Sequence, residues 1–198
     1  MPNTTLPKIL IGIAVVGIIV ILLLITNQTK KVNHFVLSRE NNYFIFIANT
    51  GNQQSFDISH WKIGEEINEA ITLNQAIQIF RTGQIANLEP IILAPGEKMI
   101  INFDQSPLGF SFRLTQCSGL LEQFQNFSPP LPPPIEGGVD YLTCLDRHFV
   151  EPNFFLSEWR VYLNQSVAPS WWSDNPVSPS GKLIKMFNDQ GKIAAIVR

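Results

Sequence analysis

Residues 43–63, YFIFIANTGNQQSFDISHWKI, constrain the fold more tightly than any other part of the chain. Residues 43–48 are apolar at nearly every position and rich in aromatic and β-branched side chains. That suits a short strand covered on both faces, as at the centre of a packed sheet. Asn49, Thr50, Gly51 and Asn52 then supply residues that tolerate the left-handed backbone of a tight turn. In the strand that follows, Phe56 and Ile58 share one face, whereas Trp61 and Ile63 fall out of phase with them. A β-bulge near Ser59 and His60 restores the phase and keeps Trp61 in the core.

Short strands and turns recur through the rest of the chain. Val36 and Leu37 begin a first strand. Residues 76–80 alternate Ile77 and Ile79 with Gln78 and Phe80, as a half-buried strand does. Ile91, Ile92 and Leu93 lead into Ala94-Pro95-Gly96-Glu97, where proline presets one turn dihedral and glycine permits the next; a strand over 98–103 follows. Residues 154–163 place Trp159, Val161 and Leu163 in phase, and the chain closes as a hairpin, 183–187 and 193–197, around Asn188-Asp189-Gln190-Gly191. Between 104 and 153 the rhythm breaks. The run SPPLPPP at 128–134 forces extended polyproline geometry, and 139–148 reads as a short helix carrying Tyr141, Leu142 and Leu145 on one face. This region reads as a Pro-rich, partly helical insertion in an all-β sandwich or barrel.

Upstream lies a different kind of segment. Residues 9–25 form an apolar run with no charged or hydrogen-bonding side chain, about 25 Å long as a helix and close to the thickness of a hydrocarbon core. Lys8 marks one end and Lys30 with Lys31 the other. The reading is therefore a short tail at 1–8, a single transmembrane helix at 9–26, a linker at 27–35 and a folded domain at 36–198. The flanking charges are nearly balanced, and the short tail favours an inside N-terminus, which places the domain outside the cytoplasm at the cell membrane. A cleaved signal would need a shorter apolar region and small residues at its end, which Leu24, Ile25, Thr26, Asn27 and Gln28 do not offer.

Composition narrows the function classes. Of 198 residues 15% are charged and the net charge is −2, so the chain lacks the basic excess with which nucleic-acid binders neutralise phosphates. No Gly-rich phosphate loop or dinucleotide fingerprint is present, and no cofactor is expected. His34, His60 and His148 are dispersed, without a nucleophile elbow. Asp140, Asp146, Glu151 and Glu158 read as solvated carboxylates, so no catalytic residue is assigned. Cys117 and Cys144, the two cysteines, would close a loop of about 28 residues as a disulfide in an oxidising compartment. Two free thiols are the alternative; a metal site with His148 would be a ligand short of a zinc centre, and none is assigned. Trp171 and Trp172, in a Ser/Pro/Asn-rich loop, are candidate partner-binding residues, since paired indoles stack on sugars or fill a partner's pocket; their bland reading is a cap on the end of the sandwich. Arg113 and Arg160, beside aromatic residues, read as ion-pair or cation–π partners.

Several of these segments together resemble the lamin-tail domain, an immunoglobulin-like β-sandwich. The matching residues are the 43–48 strand with Asn49-Thr50-Gly51, then Phe56 to Ile63, then Ile91 to Glu97 with its Leu93-Ala94-Pro95-Gly96-Glu97, and the closing Asn188-Asp189-Gln190-Gly191-Lys192. His60 departs from the pattern, which usually has glycine before the tryptophan. The 104–153 insertion and residues 157–163 look similar to a bacterial, membrane-anchored subgroup. No heptad rod is present, so the resemblance to filament-forming lamins stops at the fold. It implies a non-enzymatic interaction or adhesion module displayed at the cell surface, with a protein or carbohydrate partner. The alternative is a cell-surface hydrolase or accessory enzyme whose pocket the insertion shapes.

Overall fold

The computed structural model of the protein describes residues 34–48, 53–166, 169, 171–172 and 183–197. The expected membrane helix at 9–26, most of the linker 27–35, the turn 49–52 and most of the loop 168–180 lie outside them. Among the described residues no helix is long and apolar enough to cross a membrane.

The described chain is mostly strand, arranged in several sheets, with few helices. Strands β1 (Phe35–Glu40), β2 (Tyr43–Ala48), β3 (Phe56–Asp57), β4 (Lys62–Gly64), β5 (Ile71–Thr72) and β6 (Ala76–Ile77) come first. They are followed by β7 (Ile92–Leu93), β8 (Lys98–Asn102), β9 (Ser111–Thr115), β10 (Phe155–Tyr162), β11 (Lys185–Phe187) and β12 (Ile193–Ile196). A 3₁₀ helix at Ser118–Gln123 and helix α1 at Tyr141–His148 separate β9 from β10. A six-stranded sheet has the order β1-β2-β8-β10-β9-β6, a four-stranded sheet the order β12-β11-β4-β5, and β3 pairs with β7. Strand β10 runs parallel to β8 and antiparallel to β9. A parallel bridge between Leu37 and Val197 links β1 to the chain just beyond β12.

Register explains the main core. Phe44, Ile101 and Val161 lie side by side across β2, β8 and β10, as do Phe46, Met99 and Trp159. Ala195, Met186 and Ile63 form the corresponding row of the four-stranded sheet. All nine are buried in one cluster with Phe35, Ile58, Trp61 and Leu93. Burial of this kind stabilises by about 25 cal/mol for each Å² of apolar surface, so the cluster dominates folding. Phe35, expected in the linker, already belongs to it and stacks on Phe46 at 5.0 Å.

Three expectations need correction here. Strand β2 is not covered on both faces: Phe44, Phe46 and Ala48 are buried, but Tyr43, Ile45 and Ile47 are half-buried, because the second core takes no residue of β2. Instead of a bulge within one strand at Ser59 and His60, a turn hands the chain from β3 to β4. Asp57 Oδ1 accepts a bond from Ser59 N (2.9 Å), His60 takes φ +73°, and Trp61 N donates to Ile58 O (3.1 Å). Trp61 is nonetheless core, at 6% exposure. Finally, β6 stops at Ile77 because Ala76 pairs on one side with Ser111 of β9 and on the other with Glu89, and the chain then leaves the sheet.

The Ala94–Glu97 turn forms as its residues dictate. Glu97 N donates to Ala94 O (3.0 Å), and Gly96 sits at φ +82°, a conformation that costs other residues about 1 kcal/mol or more. The closing hairpin is held by Asn188, whose Oδ1 accepts bonds from Gln190 N (3.1 Å) and Lys192 N (2.8 Å).

Candidate functional site

Residues 104–153 do not form a separate excursion, since β9 is the fifth strand of the main sheet. What is added is the segment 116–154, which covers the outward face of β9 and β10. Phe112 and Leu114 of β9 and Tyr162 of β10 pack there against Leu120, Leu121, Leu131, Tyr141 and Leu145, making a second core. Strand β10 is thus buried on both faces. Burial pushes the Tyr162 phenol up to about 12. It also raises Tyr141 well above the ordinary phenol range, against a hydrogen bond with Thr115 that lowers it.

Helix α1 begins at Asp140, whose carboxylate accepts bonds from Thr143 N (3.0 Å) and Thr143 Oγ1 (2.6 Å). Those hydrogen bonds hold the Asp140 carboxyl below its usual range. The helix buries Tyr141, Cys144 and Leu145 at positions i, i+3 and i+4, while Leu142, expected on that face, is exposed. Cys144 is bonded to Cys117, with Cα atoms 5.8 Å apart and both residues fully buried. A bridge spanning 27 positions stabilises by about 3.5 kcal/mol through loop closure.

The proline run is strapped to the sheet. Arg160, 2% exposed on β10, donates from Nη1 to Pro129 O (2.7 Å) and from Nη2 to Pro130 O (3.0 Å). Its Nε lies 2.7 Å from Glu158 Oε1, a close ion pair without an aligned N–H, and Glu158 also meets Lys98 Nζ at 2.7 Å. Leu131 N donates to Glu122 Oε1 (2.6 Å). Gly119 packs so closely beneath the run that an added Cβ would lie 2.3 Å from Pro132 O. On the other face of the sheet, Arg113 pairs with Glu97 and places its guanidinium over Phe155 (4.9 Å) and Trp159 (5.4 Å), the cation–π role its neighbours suggest.

His148, at the end of α1, lies between two carboxylates. Nδ1 is 2.7 Å from Glu151 Oε1, Nε2 is 3.3 Å from Glu136 Oε2, and Glu136 also pairs with Arg147. Hydrogen bonds to Glu151 and then Glu136 raise the imidazole pKa. The carboxylates approach opposite edges of the ring, so they share no point for a cation. Among the described residues no three His, Cys, Asp or Glu side chains are placed to hold a metal. Asp146 reaches Arg81 at 3.5 Å.

Trp171 and Trp172 do not stand out as a binding pair would. Trp171 is 2% exposed within the main core. Trp172 is partly buried, with its ring 5.1 Å from both Phe44 and Phe103. Trp172 caps the core because Phe44 and Phe103 offer an apolar seat that water would otherwise cover, and its ring meets Trp171 at 5.9 Å.

Two clefts open beside β6, at the edge of the six-stranded sheet. The first, about 250 Å³, has Phe80 and Phe110 as its aromatic walls, with centroids 6.4 Å apart, and Gln78, Gln84 and Asn87 as its polar ones. The second, about 370 Å³, is lined by His60, Asn74, Gln75, Leu88 and Asn164, and shares Phe110 with the first. Ile85 on the first and Leu88 on the second are exposed at 100% and 49%. These residues escape a reading of the sequence for motifs. The available signal is the density of Asn and Gln in 74–87, interleaved with apolar residues of which only Ala76 and Ile77 lie in a strand.

Comparison of the chain with family models, with curated proteins and with solved structures returned no match.

Proposed function

We propose that the chain is a single-pass membrane protein that displays a lamin-tail-like, immunoglobulin-like β-sandwich outside the cytoplasm as an interaction or adhesion module, without catalytic activity. The observation that carries this reading is the buried Cys117–Cys144 bridge. Disulfides persist in oxidising exteriors and are rare in reducing cytosol, so a domain stapled in this way supports display beyond the membrane. The apolar run at 9–25, flanked by Lys8, Lys30 and Lys31, supplies the anchor. The lamin-tail reading draws support from features that coincide with its motifs: Trp61 in the main core, the Pro95-Gly96 turn, and the Asn188–Lys192 hairpin. His60 adopts the positive φ that glycine, usual before that tryptophan, would take without strain.

An epitope placed after Arg198 tests the topology. We expect it to be stained on intact cells expressing the full chain and to be removed by protease added outside. Staining only after permeabilisation would refute the reading.

A further inference from the structure

We propose that the two clefts beside β6 form one binding site for a neutral, hydroxyl-rich glycan segment, with Phe110 as the platform between two subsites. This deepens the surface-display reading by naming the class of ligand. Three observations carry it.

The first is the chemistry of the walls. Asn74 and Gln75 on one side, and Gln78 and Gln84 on the other, have side-chain amides that make no hydrogen bond among the described residues. Asn164 uses its Oδ1 to accept from Ser106 N (2.9 Å), which leaves its NH₂ group without a partner among those residues. A planar amide offers donors and acceptors side by side, which matches the paired hydroxyls of a sugar ring. Phe80 and Phe110 add the apolar faces on which the C–H face of a sugar ring packs.

The second is charge. Arg81, the cation lining the first cleft, is drawn to Asp146 at 3.5 Å, and Glu89 accepts from Asn87 Nδ2 at 3.3 Å. Arg81 is thus partnered by a carboxylate while Glu89 keeps its negative charge, so the site selects against an anionic ligand.

The third is backbone conformation and continuity. Asn41, His60 and Asn164 are the non-glycine residues with positive φ among the described residues, and two of them, His60 at +73° and Asn164 at +51°, line the second cleft. Residues held in such conformations collect at ligand sites, where surrounding structure supports them. Both arms of the Ala76–Glu89 bridge contribute to each cleft, Ile77 and Asn87 to the first and Gln75 and Leu88 to the second, and Phe110 lines both. The first, at about 250 Å³, falls below the roughly 300–1,000 Å³ of a drug-sized ligand site and the second, at about 370 Å³, near its lower end, so together they offer room for a few sugar rings.

The test uses the full chain in detergent micelles. It is applied to an array of neutral oligosaccharides of glucose, mannose, galactose and N-acetylglucosamine, with heparin, polygalacturonate and unfolded casein as controls. We expect retention of at least one neutral glycan in preference to all three controls. Titration with that glycan should show roughly tenfold weaker binding for Phe110→Ala and near wild-type binding for Phe110→Tyr. Because Phe110 also packs on the second core, the double variant Gln78→Ala/Gln84→Ala is the independent check, and it should weaken binding several-fold with an unchanged melting temperature. Retention of no neutral glycan would overturn the proposal, as would tighter binding to a charged glycan or to casein, or binding indifferent to both sets of variants. Sugar binding is measured in micelles and topology on cells, so either can fail while the other stands.

Discussion

Replacing Arg160 with methionine should destabilise the domain by about 3 kcal/mol, a figure that follows from what the guanidinium holds. The substitution removes the bonds to Pro129 O (2.7 Å) and Pro130 O (3.0 Å) and one of the two cations facing Glu158. Removing one partner of a buried ion pair costs about 3–5 kcal/mol, because the other charge stays behind uncompensated. Two features keep the cost at the lower end. Glu158 retains Lys98 at 2.7 Å, and Pro130 is exposed, so water can reach its carbonyl once the cover loosens. The assay is urea unfolding of the full chain in micelles followed by tryptophan fluorescence. Amide exchange at Leu131 and Ile135 reports on the cover itself, since their N–H groups bond to Glu122 and to Gln116 O. Both amides should exchange faster in the variant, and Arg160→Met/Glu158→Gln should recover part of the loss by removing the stranded carboxylate. A cost under about 1 kcal/mol, against the 3–5 expected of a broken buried pair, would refute the reasoning. Unchanged exchange at both amides would do the same.

Gly119→Ala should cost about 2 kcal/mol in the same unfolding assay, because its Cβ would meet the backbone at Pro132 and Pro134 and the run would have to shift. A neutral substitution would mean that the cover is not seated as described. A second expectation concerns pH. Glu151 and Glu136 raise the folded-state pKa of His148 above its unfolded value near 6.5. The stabilisation is therefore complete below that value and is lost as pH rises through the folded pKa. Melting temperature should fall between pH 6 and pH 8.5 in the native chain and fall less in His148→Gln; an equal fall in both would remove His148 from the explanation.

How much of this could be read from residue order depends on the range of the interactions. Trp61, the Pro95-Gly96 turn and the Asn188 hairpin follow from residues a few positions apart, and each forms as local chemistry dictates. The Cys117–Cys144 pairing was one of several readings of two cysteines, and it is realised because α1 turns Cys144 inward with Tyr141 and Leu145. Other features depend on contacts between distant segments. Strand β9 was grouped with the proline run and helix that follow it as one insertion, yet it joins the main sheet, where Arg113 is accommodated by Glu97 and two aromatic rings from elsewhere. Arg160 binds carbonyls about 30 positions away, which no local pattern announces. For Trp171 and Trp172 the surrounding serine, proline and asparagine leave both a binding pair and a cap open, and what decides between them is distant: Phe44 and Phe103 make the seat of Trp172. The clefts beside β6 escaped notice for a further reason: they are defined by amides left without partners, and a sequence does not show which partners are missing.

We propose an extracytoplasmic domain whose covering layer is closed by one disulfide, and the redox state of the two cysteines in living cells tests that proposal most directly. Intact cells expressing the full chain are quenched in acid, and the protein is then unfolded and labelled with a maleimide carrying a mass tag. Since Cys117 and Cys144 are the only thiols in the chain, the account predicts no mass shift before reduction and two tags per chain after it. Two tags without reduction would place both cysteines in a reducing compartment and contradict the account.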